Sequence, residues 1–96
     1  MAPELNQKAE QLLEAQTDLN LLISRLRETE AEFASLQTFC AALLPEPALS
    51  LRRAYCARKS SELNTTDAQL RAQIQVQEGT IRELQLEIQR LQNPQH

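Results

Sequence analysis

Leucine, isoleucine and smaller apolar residues return along this chain at alternating intervals of three and four, the spacing that keeps a stripe on one side of a helix. In the first half the stripe reads Leu5, Ala9, Leu12, Gln16, Leu19, Ile23, Leu26, Glu30, Phe33, Gln37, Cys40 and Leu44. In the second half it reads Cys56, Ser60, Leu63, Asp67, Leu70, Ile74, Gln77, Ile81, Leu84, Ile88 and Leu91. From Leu70 onward the second stripe is clean, with Ile74, Ile81 and Ile88 in one column and Leu70, Leu84 and Leu91 in the other. The first is looser, because Leu13, Leu22, Leu36 and Leu43 lie beside it, and that suits contact with more than one partner helix. Val, Ile, Thr and aromatics never gather into an alternating run, so no sheet is expected.

Proline divides the two stripes. Pro3 and Glu4 suit a first helical turn, where proline is pre-set and an acid complements the helix dipole. Pro45 and Pro47 remove amide donors and push the residues before them out of the α region. The pattern predicts helix 1 over 3–44, a bend at 45–48, helix 2 over 49–93 and a disordered tail at 94–96. Asn64-Thr65-Thr66-Asp67 is poor helix material, and Thr66 with Gln69 makes a capping-box pattern, so helix 2 can break at 64–67.

The expected fold is all-α: two long helices in an antiparallel coiled-coil hairpin bent at Pro45–Pro47, forming part of a larger helical bundle. Folding back at the prolines pairs Leu5 with Leu91, Leu12 with Leu84, Leu26 with Leu70, Phe33 with Leu63 and Cys40 with Cys56, each pair summing to 96. The interleaved pairs, such as Ala9 with Ile88 and Ile23 with Ile74, sum to 97. One layer opposes this register: Glu30 would face Asp67, a like-charge contact that costs stability unless Arg27 or Arg71 reaches across. Gln16 and Gln77 would also interrupt the core.

The rival arrangement takes Ile and Leu in their alternating columns as a parallel two-stranded pair, a leucine-zipper dimerisation module with a regulatory role. With Arg52-Arg53-Ala54-Tyr55-Cys56-Ala57-Arg58-Lys59 directly upstream of Leu63, the second half then resembles a basic-region leucine zipper, a family whose basic helix reads the DNA major groove. The sequence departs from that family: the basic-region asparagine is absent, Pro45 stands in its place, and only four basic residues are present. So few phosphate contacts argue against nucleic acid as a partner.

Composition supports helices and little else. Among 96 residues there is one Gly, one Tyr, two Phe and no Trp, so a bulky globular core is not available. Net charge is -3, but it is unevenly placed. Residues 1–47 are acidic, whereas residues 48–59 carry Arg52, Arg53, Arg58 and Lys59 with no acid. No apolar stretch approaches the roughly 20 residues needed to span a bilayer, and the start of the chain lacks a charged and then apolar leader. Both point to an intracellular protein, cytoplasmic or nuclear, with no membrane partner. Cys40 and Cys56 would stay reduced there as two small buried residues; the alternatives are a disulfide or half of a metal site across the hairpin.

No catalytic, cofactor-binding or metal-binding residues are identified. The only histidine, His96, lies beyond Pro94 at the end of the sequence, and one glycine cannot build a phosphate loop. Glu28, Glu30 and Glu32 alternate around a helix and read as a solvated face. The expected helix-pairing seam comprises Leu5, Leu12, Leu19, Ile23 and Leu26 against Leu63, Leu70, Ile74, Ile81, Leu84, Ile88 and Leu91.

A second candidate surface surrounds the bend. All three aromatics fall between residues 33 and 55, and Phe33, Phe39, Leu43, Tyr55, Arg52, Arg53 and Arg58 have the makeup of an interface hot spot. The sequence therefore points to a non-enzymatic structural or scaffold subunit. Its expected partners are other coiled-coil proteins, in a hetero-oligomer by preference or a homodimer, with no small-molecule substrate and no cofactor.

Overall fold

The computed structural model describes residues 3–93, so the expected tail at 94–96, His96 included, lies outside the described residues. Two helices pack against each other as a helical hairpin: α1 over Pro3–Cys40 and α2 over Ala48–Gln92. No helix among the described residues is long and apolar enough to cross a membrane.

Helix α1 ends at Cys40, short of the expected Leu44. Pro45 cannot donate to Ala41, and its ring disfavours the α conformation at Leu44, so the last turn is lost before the proline is reached. The final backbone bond at this end runs from the Ala41 amide to the Gln37 carbonyl at 3.1 Å. Across the bend, the Leu49 and Leu51 amides donate to the Pro45 and Pro47 carbonyls at 3.1 and 3.2 Å, starting α2. The Glu46–Pro47 peptide is cis.

Helix α2 is a single helix, unbroken through 64–67, so the possible break there does not occur. Thr65 Oγ1 donates to the Ser61 carbonyl one turn back at 3.0 Å, so its hydroxyl is satisfied within the helix. Asp67 accepts from Arg71 Nε at 2.8 Å, an i,i+4 tie that offsets the poor propensity of this stretch. Thr17, Thr29, Thr38 and Thr80 bond back one turn in the same way.

The chain forms two compact units, one made by the chain up to Ile23 with the chain from Ala72, the other by Ser24–Arg71. In the first, the shielded positions of α1 are Leu5, Lys8, Leu12, Ala15, Leu19, Leu22 and Ile23. They match Ile74, Gln77, Ile81, Leu84, Ile88 and Leu91 of α2, with Ala15 and Leu84 the buried members. Lys8 Nζ meets Glu87 Oε2 at 2.6 Å, and Gln77 Nε2 donates to the Ala15 carbonyl at 2.9 Å.

In the second unit, Leu26, Thr29, Phe33, Leu36 and Cys40 of α1 are shielded, together with Cys56, Ser60, Leu63, Asp67 and Leu70 of α2. Leu36, Leu63, Leu70 and Thr29 are buried. In the layer expected to set Glu30 against Asp67, Arg71 reaches across to both carboxylates. Glu30 is exposed and Thr29 occupies the shielded position, its hydroxyl satisfied by the Arg25 carbonyl at 2.9 Å. Ala9, Gln16 and Gln37, also expected in the stripe, are exposed, and Lys8, Ala15 and Leu36 are shielded in their place. The α1 stripe is thus displaced by one residue at these positions, while Leu22 and Ile23 are both shielded.

Candidate functional site

The second unit carries the densest chemistry, because the end of α1 and the start of α2 lie side by side there. Cys40 and Cys56 are joined by a disulfide, with their Cα atoms 6.2 Å apart. This corrects the expectation of two reduced cysteines. Both cysteines occupy shielded positions, one on each helix, so the pairing of the helices itself brings the sulfurs together.

Phe39 and Tyr55, each one residue from a bonded cysteine, lie edge to face with ring centroids 5.8 Å apart and planes at 74°. Phe39 is 46% and Tyr55 39% exposed, so this aromatic pair is presented to solvent. Arg52 holds the arrangement from α2. Its guanidinium donates through Nη1 to the Phe39 carbonyl at 3.1 Å and lies 4.1 Å from the Phe39 ring centroid. The carbonyl it satisfies belongs to the last turn of α1, which has no further helical amide to use. Arg58 lies 5.7 Å from the Tyr55 ring centroid, within cation–π range.

Beside the aromatic pair runs a groove of about 580 Å³, lined by Glu28, Ala31, Glu32, Ser35, Leu36, Phe39, Tyr55, Lys59 and Leu63. Its chemistry is mixed: an apolar floor, carboxylates on α1 and an ammonium on α2. Lys59 is itself paired with Glu62 at 3.7 Å. A smaller cavity of about 250 Å³ is lined by both cysteines, Leu43, Leu49, Arg52 and Arg53.

No family model, curated protein or solved structure matches the chain.

Of the residues singled out around the bend, Phe39, Tyr55, Arg52 and Arg58 form one cluster. Arg53 and Leu43 line the smaller cavity instead, with Leu43 94% exposed. Phe33 is half-buried between the helices and does not line the groove. Glu28, Glu32 and Lys59 were not foreseen as groove residues. Their signal was present, because Glu28, Glu32, Ser35 and Phe39 recur at intervals of four, three and four, a second helical stripe masked by its polar members. Glu30, the third acid of the run, pairs with Arg71 Nη2 at 3.2 Å.

Arg71 also binds Asp67, and this hydrogen bond, followed by the charge of Asp67, raises its pKa above the ordinary arginine value; desolvation acts the other way, and the charge of Glu30 adds a smaller rise. Among the described residues, no group of three or more His, Cys, Asp and Glu is placed to hold a metal ion.

Proposed function

We propose that the chain is a non-enzymatic structural subunit, an antiparallel coiled-coil hairpin whose exposed aromatic groove receives a helix from another coiled-coil chain in a multi-protein assembly. The observation that carries this reading is the Phe39–Tyr55 pair, exposed beside a groove with an apolar floor, with Arg52 over the Phe39 ring and Arg58 over the Tyr55 ring. Aromatic rings held rigid by guanidinium groups bury large area at low entropic cost, which is the makeup of an interface anchor.

The coiled-coil description draws support from the shielded positions. Leu5 with Leu91, Lys8 with Ile88, Leu12 with Leu84, Ala15 with Ile81 and Leu22 with Ile74 all sum to 96, as do Leu26 with Leu70, Thr29 with Asp67 and Leu36 with Ser60. The disulfide pair, Cys40 with Cys56, has the same sum. The core is thin for a protein that stands alone: its buried apolar residues are Ala15, Leu36, Leu63, Leu70 and Leu84. Leu13, Leu21, Leu51, Val76 and Leu86 are exposed, and further helices in a bundle would cover such residues.

Two measurements test the reading. Fluorophores at residues 9 and 88 transfer energy efficiently within one chain at high dilution, whereas an extended parallel zipper gives low transfer. Affinity capture followed by mass spectrometry recovers helical partners with the wild-type chain and loses them with Phe39→Ala/Tyr55→Ala. Undiminished recovery with that variant removes the aromatic groove as the docking surface.

A further inference from the structure

We infer that the Cys40–Cys56 disulfide selects between the closed hairpin and an exchanged dimer, in which α1 of one copy pairs with α2 of a second copy of this chain. The inference rests on the antiparallel coiled-coil reading, whose shielded positions n and 96−n face one another. Such a rule is unchanged when the two partners belong to different chains: two opened copies laid antiparallel restore every layer twice, about a two-fold axis near residue 48.

The charge ties point to the same occupant. Lys8–Glu87 and Arg71–Glu30 join α1 to α2, and each is re-formed once per copy in the exchanged dimer. A parallel pairing instead places each of these residues beside its own duplicate, losing the ties. The partner that fits this surface is therefore a second copy in antiparallel order.

Only the segment between Cys40 and Ala48 must change. It contains no helical residue in the structure, so opening it sacrifices few backbone bonds. While the disulfide is intact, residues 40 and 56 of one chain cannot separate, and exchange is blocked. The bond is accessible: both cysteines line the 250 Å³ cavity together with Arg52 and Arg53. Arg52 and Arg53 thus place positive charge along the cavity through which a thiolate would approach the bond.

The opening step requires a dithiol reductant. One of its thiolates attacks a cysteine sulfur, forming a mixed disulfide and expelling the other cysteine as a thiolate, which takes up a proton. The second thiol of the reductant then displaces the remaining cysteine, leaving two protein thiols and an oxidised dithiol. Two electrons pass to the protein.

The test uses the full chain with dithiothreitol as reductant. Isotope-labelled and unlabelled chains are mixed, unfolded in reductant, refolded at ~1 mM, the effective-concentration scale of a short linker, and reoxidised with glutathione disulfide. The expected product is a covalent dimer on a non-reducing gel. Its Cys40–Cys56 peptides include pairs with one labelled and one unlabelled partner; after strong dilution before reoxidation the monomer returns.

Absence of mixed-label Cys40–Cys56 peptides overturns the inference, and so do Cys40–Cys40 and Cys56–Cys56 links, which report a parallel zipper. A dimer formed equally by chains that were never reduced overturns it as well. Energy transfer between residues 9 and 88 in the oxidised monomer separates the two readings. If transfer is high and no exchange occurs, only the inference fails; if transfer is low, the hairpin reading fails.

Discussion

Arg71 on α2 reaches Glu30 on α1 at 3.2 Å while its Nε holds Asp67 at 2.8 Å. One cation thus keeps two carboxylates, on different helices, from repelling each other. Replacing it by Ala leaves that repulsion unscreened. Arg71→Ala is expected to lower the urea midpoint at low ionic strength, with the difference shrinking near ~1 M salt, where the Debye length falls to about 3 Å.

The pH behaviour of Arg71 follows from its raised pKa, caused first by the hydrogen bond to Asp67. A raised value in the fold means that its contribution is complete below the ordinary arginine pKa and disappears only as pH climbs through the higher value. The wild-type minus Arg71→Ala difference therefore shows no loss on moving from neutral to mildly alkaline pH. A loss in that interval contradicts the assignment.

Leu84 is buried, whereas Val76 on the same helix is 71% exposed. Truncation of Leu84 to Ala removes packed methyl groups and is expected to cost about 2 kcal/mol. Val76→Ala is expected to stay within about 0.5 kcal/mol of wild type. Chemical denaturation of the two variants compares a seam position with a solvent-facing one.

Gly79 lies within α2, and a Cβ added there meets nothing within 4 Å. Glycine in a helix interior carries excess backbone entropy in the unfolded state. Gly79→Ala is expected to stabilise the hairpin by about 0.5–1 kcal/mol, read as a higher thermal midpoint. A decrease would show that the α2 backbone at this point is more crowded than its surroundings indicate.

The disulfide closes a loop with a sequence separation of 16. Removing it in Cys40→Ser/Cys56→Ser is expected to cost about 3 kcal/mol by the loop-entropy account. Dilute protein, measured by circular dichroism during urea titration, isolates this cost from any association.

The α2 stripe was legible because Leu and Ile occupy most of its shielded positions, so residue type and position agree. On α1 they disagree. Leu5, Leu12, Leu19 and Leu26 mark one column, but the alternate column passes through Lys8 and Thr29, which composition assigns to the surface. Lys8 is half-buried while its ammonium pairs with Glu87, so its stem can cover apolar surface with the charge kept at the rim. Thr29 hides its hydroxyl on the Arg25 carbonyl. With Leu22 and Ile23 adjacent, the sequence offers two columns, and only the pairing with α2 chooses between them.

The cluster at the bend was partly legible. Aromatics and arginines stood out by type, and Phe39, Tyr55, Arg52 and Arg58 do converge. The separation of Phe33 from them follows from its place in the α1 stripe, where it is half-buried. Compartment reasoning alone disfavours the disulfide, whereas the positions of Cys40 and Cys56, both on the stripes, bring the two sulfurs together.

Gln77 is a polar member of the α2 stripe, and it donates to the Ala15 carbonyl across the hairpin. On the proposed antiparallel coiled-coil reading, this contact and the 96 sum together make the molecule unequally tolerant of length changes. Extra residues in the 41–47 connection leave every facing pair intact. A single inserted residue within either helix dephases the layers on its free-end side and carries Gln77 away from Ala15 when it falls between that contact and the bend. Compensating insertions at matching depths on both helices restore the alignment when they come in whole heptads. Relatives of this hairpin should therefore vary freely in bend length, and in arm length only by matched steps.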